Sequence, residues 1–461
     1  MPLVGVFIVP HPPLIVPEVG KGEEKKIQKT TDSYEEIAHR IALLKPDTII
    51  LTTPHSITYS DYLHISPGTK AEGSFHDFGA PLVKMEVKYD SEFANKLEEI
   101  CSHVGIRAGN LGERNKNLDH ATMVPLYFIN KHYTDYRLVR ISLSGLSPLV
   151  HYQFGKCINE TINQMSKRYV IIASGDLSHK LKKDGPYGLS EEGPIFDHEV
   201  TQAIAKGDFL RFLTFDEAFC DAAAECGLRS FIIMAGALDG LAVKPELLSY
   251  EGPFGVGYAV AAFEILGEDS SRHFEETYLA QEKYKLELLK SNEDHYVRLA
   301  RLSLEHYVTT GSLLRRSLDL SGDLTGQKAG VFVSLKMEGR LRGCIGTTVP
   351  TTECVADEII QNAISAGTGD PRFEPVAIYE LPRLVYSVDV LREAEPISSM
   401  DELDPIRYGV IVRNKGRSGL LLPNLEGIDS VFQQVAIALK KAGISPNEPY
   451  KMERFEVIRH K

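Results

Sequence analysis

The chain has 461 residues, 43% of them hydrophobic and 25% charged, with a formal net charge of −12 at pH 7. That balance belongs to a globular protein, and the length predicts two or three domains. The acidic excess excludes a general nucleic-acid binder and disfavours anionic membrane surfaces, because both need a basic face. No apolar run approaches a membrane span and the start of the chain lacks a basic signal segment, so a cytoplasmic protein is expected. The cysteines, Cys101, Cys157, Cys220, Cys226, Cys344 and Cys354, contain no CxxC pair and read as reduced thiols.

In chain order, the first apolar run, Leu3 to Val9, is rich in β-branched residues and predicts a buried strand. It ends in Pro10-His11-Pro12, where two prolines restrict the backbone around the histidine. Glu23 to Leu44 has mostly helical spacing, and Asp47 to Thr53 is a second buried strand that runs into Pro54-His55. Strand, helix and strand with short joints predict a parallel βαβ unit, whose strand exits share one edge of the sheet. Asp119 is placed to cap a short helix with His120 in its first turn. Tyr169 to Ser174 is a third buried strand and leads into Gly175-Asp176-Leu177-Ser178-His179. Leu228 to Leu238 predicts a buried helix, and Ala242 to Tyr250 and Gly257 to Ile265 are closing strands.

Residues 266–294 are strongly polar and read as a connection that turns helical towards its end. Beyond it, paired strands are predicted at Val331–Leu335 and Leu341–Gly346, joined through Glu338-Gly339. Helices at about Cys354 to Ala366 and Ser430 to Lys441, with further strands, complete a second domain. The predicted architecture is an α/β N-terminal domain with a mostly parallel central sheet, plus a smaller α+β C-terminal domain. The divisions are residues 1–265, a linker at 266–280, and 281–461.

Two histidines and a carboxylate around open coordination positions are how non-haem Fe(II) oxygenases hold their metal. His11 and His55 can supply the imidazoles, and Glu225, at the mouth of a buried helix, the carboxylate. His120 and His179 are then placed to act as acid and base near neutral pH. The competing reading is that the prolines beside His11 and His55 are turn formers and the histidines structural.

The segments VPHPPLIVPEVG, TTPHS, LDHATMVPL, SGDLSH and AAAECGLRSFIIMAGALDG resemble the catalytic B-type subunit of class III extradiol ring-cleavage dioxygenases and its Memo-type relatives. In the dioxygenases the resemblance implies Fe(II) held at His11, His55 and Glu225, with His120 and His179 as acid/base histidines and a catechol-like diol as substrate. Memo-type relatives carry a cysteine at the third position, and Cys226 fits it. Adjacent helical residues point about 100° apart, so Glu225 and Cys226 are alternatives. Glu225 is favoured for Fe(II) oxygen chemistry; a thiolate favours Zn or Cu instead.

LRGCIG, DPRF and LLPN, around Arg342, Cys344 and Arg372, resemble an AMMECR-type domain. The fusion resembles the A component of the three-part AmmeMemoRadiSam system, which implies a Memo-like protein and a radical SAM protein as partners. A nucleophilic Cys344 needs a base that the sequence does not identify, and Arg372 either pairs internally or binds an anion. Glycines within strands more often mark bulges or tight packing than catalysis.

Overall fold

The computed structural model describes residues 2–112, 117–316, 320–425 and 427–461. The chain divides into two compact units, Met1–Gln281 and Glu282–Lys461.

The first unit is built on β1 (Leu3–Val9), β2 (Thr48–Thr53), β3 (Arg137–Ser142), β4 (Tyr169–Ser174), β5 (Leu241–Glu251) and β6 (Tyr258–Glu268). They form one six-stranded sheet in the order β3-β2-β4-β1-β6-β5. The first four are parallel to one another, and β6 and β5 continue the sheet antiparallel. Every residue of β2 and β4 is buried, as continuous apolar runs in a doubly covered parallel sheet require.

Alternate residues of β2 serve two cores. Ile49 and Leu51 pack with Tyr34, Ile37 and Ile41 of α1 (Gln28–Leu44) and with Val124 and Phe128 of α2 (His120–Ile129). Ile50 faces the other way, into the cluster of Phe154 and Ile158 of α3 (Pro148–Gln164) and Phe231 of α4 (Leu228–Ala237). The period-2 alternation of the strand thus places helices on both faces.

One expectation changes in detail. β1 and β2 are parallel and joined through α1, but they are not neighbours, because β4 pairs with both. The exits of β1, β4 and β2 therefore lie side by side on one edge, with Ser174 between the two histidine-bearing turns.

The polar stretch after residue 265 is also more structured than a linker. β6 continues to Glu268, and α5 (Phe274–Asn292) starts soon after. Phe274 and Tyr278 pack against the first unit's core, and Glu275 accepts hydrogen bonds from Gln153 and Lys156. Two aromatics among the charges anchor the first turns of a helix that composition alone reads as solvated.

The second unit comprises α6 (His295–Thr310), β7 (Val331–Met337), β8 (Arg340–Gly346), α7 (Val355–Thr368), β9 (Leu384–Leu391), β10 (Glu395–Ile397), β11 (Gly409–Asn414), β12 (Arg417–Leu421), α8 (Val431–Ala442), β13 (Lys451–Phe455) and β14 (Val457–His460). Two four-stranded antiparallel sheets result, β8-β7-β9-β14 and β10-β13-β11-β12. Glu338 and Gly339 both have positive φ, 52° and 77°, the backbone that a tight two-residue hairpin between β7 and β8 demands. The architecture is α/β followed by α+β.

α3 and α4 touch through glycines: a Cβ on Gly155 would stand 2.0 Å from the Ile233 carbonyl oxygen. Backbone cannot yield as a flexible side chain can. Gly155→Ala is therefore expected to destabilise the first unit by about 1–3 kcal/mol, the range for overpacking. Urea denaturation checks this, and an unchanged midpoint would contradict the packing.

Candidate functional site

His11 follows β1 and is 1% exposed. Its backbone N–H donates to Asp176 Oδ1 at 2.7 Å, which ties the β1 exit to the β4 exit. Its Nδ1 lies 3.1 Å from Ser174 Oγ, whose hydroxyl donates to the Ala121 carbonyl at 2.8 Å. With its own proton committed, Ser174 accepts from His11, so His11 carries its proton on Nδ1 and turns the Nε2 lone pair to the sheet edge. There Nε2 meets His55 Nε2 at 3.1 Å and Cys226 Sγ at 3.6 Å.

His55 sits at the rim, its N–H held by Thr53 Oγ1 at 3.2 Å. His120, at the first position of α2, stacks on His55 with ring centroids 4.4 Å apart and meets His11 edge-on at 5.4 Å. The helix start is set by Asp119, which accepts from the Thr122 N–H at 3.0 Å and from Thr53 Oγ1 at 2.7 Å. His179 lies in the loop after β4 with its ring beside Tyr187, and its Nε2 is buried with no hydrogen-bond partner among the described residues.

The donor atoms of His11, His55 and Cys226 all lie within 4.8 Å of one another, a grouping that can hold a metal ion. Glu225, the residue favoured from the sequence as third ligand, is turned elsewhere. Its carboxylate accepts the Leu228 N–H at 2.7 Å, at the start of α4, where free amides and the helix dipole favour negative charge. Cys226 reaches the edge because two turns meet backbone to backbone. A Cβ on Gly175 would stand 2.2 Å from Gly227 Cα.

Electrostatics keep this cluster uncharged. Burial lowers the pKa of His11, and the neighbouring His55, His120 and His179 lower it further. Desolvation lowers His55, with Asp119 opposing. Burial, aided by His55, brings His120 and His179 down to about 4. Burial raises the Cys226 thiol, with Asp176 and Glu225 adding to it. Burial also pushes the carboxyls of Asp176 and Glu225 up to about 7. Neutral imidazoles are the form that binds metals and accepts protons.

Ser174 and Asp176 escaped the reading of the sequence, which took Ser174 as a strand end and Asp176 as part of a turn. The available signal was their place on the strand exit between those of His11 and His55. Beside His55 and His120 opens a cleft of about 1400 Å³, walled in part by Phe78, Leu118 and Met123 and floored by Asp119. Phe78 packs edge-on against His120 at 5.3 Å.

In the second unit, Arg342, Cys344 and Arg372 are brought together. Arg342 pairs bidentately with Glu380 at 2.8 and 2.9 Å. Arg372 pairs with Asp370, and its Nη2 also donates to the Cys344 carbonyl at 3.3 Å. Asp370 Oδ2 accepts the Cys344 N–H at 2.9 Å. The Asp370–Arg372 pair thus satisfies both backbone groups of Cys344 on the sheet's edge strand, and the internal pairing of Arg372 is the one observed.

The first unit is an α/β domain with its polar cluster at the carboxyl edge of parallel strands, where such sheets bind ligands. A family model described as the catalytic LigB subunit of aromatic ring-opening dioxygenase matches residues 5–261, and one described as AMMECR1 matches residues 297–460. Protein CA_C1420 of Clostridium acetobutylicum is 45% identical over 469 residues, covering 100% of both chains. A Thermotoga maritima protein is 46% identical over 171 residues, covering 37% of this chain and 98% of its own. The solved structure of uncharacterized protein PH0010 from Pyrococcus horikoshii is 33% identical, with a TM-score of 0.34, covering 36% of this chain and 88% of that one. The chain belongs to the LigB family of ring-opening dioxygenase subunits and carries an AMMECR1 domain after it. Among the described residues, no helix is long and apolar enough to cross a membrane.

The Asp370 ion pair has a pH signature. Arg372 holds the Asp370 carboxyl well below the usual carboxylate range. A folded pKa below the unfolded value of about 3.9 stabilises above that pH, and the contribution is lost as pH falls through the folded value. Asp370→Asn is expected to lower stability at pH 7 and to flatten the acid limb of the stability curve. Denaturant midpoints measured from pH 7 down to about 2 test this, and parallel curves for the two proteins would refute it.

Proposed function

We propose that the first unit is a metal-dependent enzyme, related to the extradiol dioxygenases, whose ion is held by His11, His55 and Cys226. One observation carries the reading: Cys226 Sγ stands 3.6 Å from His11 Nε2, while the Glu225 carboxylate is engaged by the Leu228 amide. Two imidazoles with a thiolate suit Zn or Cu better than the Fe(II) expected from the sequence. Bound there, such an ion supplies Lewis acidity, or one-electron chemistry if it is copper.

The chain's own residues supply the rest. Ser174 fixes the His11 tautomer, and Asp176 fixes its backbone. His120 and His179 are neutral near pH 7 and can take a proton from a substrate hydroxyl. The buried Nε2 of His179, which has no hydrogen-bond partner among the described residues, is left open to a substrate proton. Phe78, Leu118 and Met123 give the cleft an apolar wall against which a small aromatic or diol-like substrate can lie.

The second reading is Fe(II) ring cleavage with Glu225 as ligand, favoured by the description of the matching family model. It requires Glu225 to leave the Leu228 amide. The fusion of the two domains supports a radical SAM protein and a Memo-like protein as partners, met in the cytoplasm. Co-purification of the intact chain with each partner tests that part.

Metal affinity separates the readings. Cys226→Ser is expected to weaken Zn(II) or Cu(I) binding strongly, with Glu225→Gln close to wild type. Ser174→Ala is expected to cost about 10–100-fold, as loss of a ligand-orienting partner does. Because the Cys226 thiol must lose its proton, affinity rises with pH and calorimetry in two buffers reads proton release. The opposite ranking of the two variants, with iron in the purified protein and oxygen uptake on catechols that vanishes in His11→Ala, would replace the proposal by the second reading.

A further inference from the structure

Outside the first unit's site, the second unit holds polar side chains where a small domain would be expected to bury apolar ones. Ser334 faces Cys344 on one side and Ser387 on the other, in register across β8, β7 and β9. All three are half-buried. The opposite face of the same strands carries Val333, Leu335 and Val388, fully buried in the core with α7. The polar face has the Cys344 thiol at its centre, 3.2 Å from Ser334 Oγ.

Cations converge on this thiol from separate elements. Arg372, from the loop after α7, Lys441, from the end of α8, and Arg459, on β14, all lie within electrostatic reach of Cys344. Arg372 and Arg459 are neutralised by Asp370 and Asp389. Lys441 is not: among the described residues its hydrogen bond is to the Leu420 carbonyl, at 3.4 Å, and no carboxylate pairs with it. Arg342 and Arg372 both stand over Phe373, their guanidinium carbons 5.8 and 5.5 Å from the ring centre. The Nη1 of Arg342 is buried and has no hydrogen-bond partner among the described residues. A buried guanidinium N–H without an acceptor is costly, and its presence points to a group the protein itself does not provide.

We propose that this face is a binding site for the oxyanion of a small molecule, a phosphate or a carboxylate. Lys441 and Arg342 Nη1 supply free donors, Ser334 a hydroxyl, and Cys344 the floor. The glycines of LRGCIG are explained separately, by close packing: a Cβ on Gly343 would stand 2.1 Å from the Ala366 carbonyl oxygen. Gly343 thus holds β8 against α7, on the face opposite Cys344, while Gly346 packs against Phe332 and Val331 of β7. The site is independent of the metal reading of the first unit.

The alkylation rate of Cys344 in the intact protein, followed by peptide mass spectrometry, tests the proposal. Iodoacetate, being anionic, is expected to react faster relative to iodoacetamide at Cys344 than at a free small thiol. Inorganic phosphate or acetate is expected to slow the labelling, by about threefold at twice the dissociation constant. Lys441→Gln, a substitution at an exposed position, is expected to abolish both effects, with the buried Cys354 unlabelled as the control for folding. Protection by phosphate alone or by acetate alone supports the site and identifies the anion. Labelling that neither anion changes, or protection that survives in Lys441→Gln with Cys354 still shielded, overturns it.

Discussion

The contact on which the first unit's site depends is the approach of Gly175 to Gly227. Parallel strands bring His11, Ser174 and His55 to one edge by topology alone. Cys226 is not on a strand and reaches that edge only because its turn presses directly on the turn after β4. A Cβ at either glycine would collide with backbone, 2.2 Å away at Gly175 and 2.8 Å from the Asp176 carbonyl oxygen at Gly227. Such collisions cannot be relieved by a rotamer change. The same contact places the Asp176 carbonyl 3.7 Å from Cys226 Sγ and the Asp176 carboxylate on the His11 amide, so one pair of turns positions two candidate ligands.

Crowding gives the site its electrostatic character. Histidines placed this close penalise one another's protonation, and burial adds to the penalty. Burial raises the carboxyls of Asp176 and Glu225 to about 7, which weakens the counter-charge available to an imidazolium. The result is two uncharged imidazoles and a thiol, at His11, His55 and Cys226, whose ligand atoms lie within 4.8 Å of one another. His11, protonated on Nδ1, can only accept from His55 Nε2, so the Nε2 proton of His55 lies between the two rings.

Much of this was legible in the sequence, for identifiable reasons. Strands that end in Pro-His or run straight into a Gly-Asp turn declare their exits, so His11 and His55 could be assigned to one edge, and His179 placed just past a third strand, without coordinates. Asp119 before His120 is a strong cap signal, and the helix begins there. The choice between Glu225 and Cys226 was not legible. It turns on whether a carboxylate prefers the amides of a helix start or an ion, and both residues sit within three positions of that helix. The sheet order was also hidden, because the pairing of β4 between β1 and β2 depends on contacts more than a hundred residues apart. The helix from Phe274 was masked by its charge, since the two aromatics that anchor it make a weak periodic signal.

The two units make the same distinction in opposite ways. In the second unit the arginines that drew notice as motif residues prove to be largely consumed. Arg342 holds Glu380, and Arg372 with Asp370 closes the edge strand over Cys344. Their presence in a motif is accounted for by structure, and what remains open is one N–H of Arg342 and the ammonium of Lys441. In the first unit the structural roles fall to Ser174, Asp176, Asp119 and Glu225, none of which stood out by spacing as strongly as the histidines. Those four engage backbone groups, at Ala121, His11, Thr122 and Leu228, and leave the Nε2 of His179 without a partner among the described residues. A polar side chain inside a protein is evidence of function only to the extent that its hydrogen bonds are not already made, and on that measure the Nε2 of His179 counts for more than the spent guanidinium groups of Arg372 and Arg459.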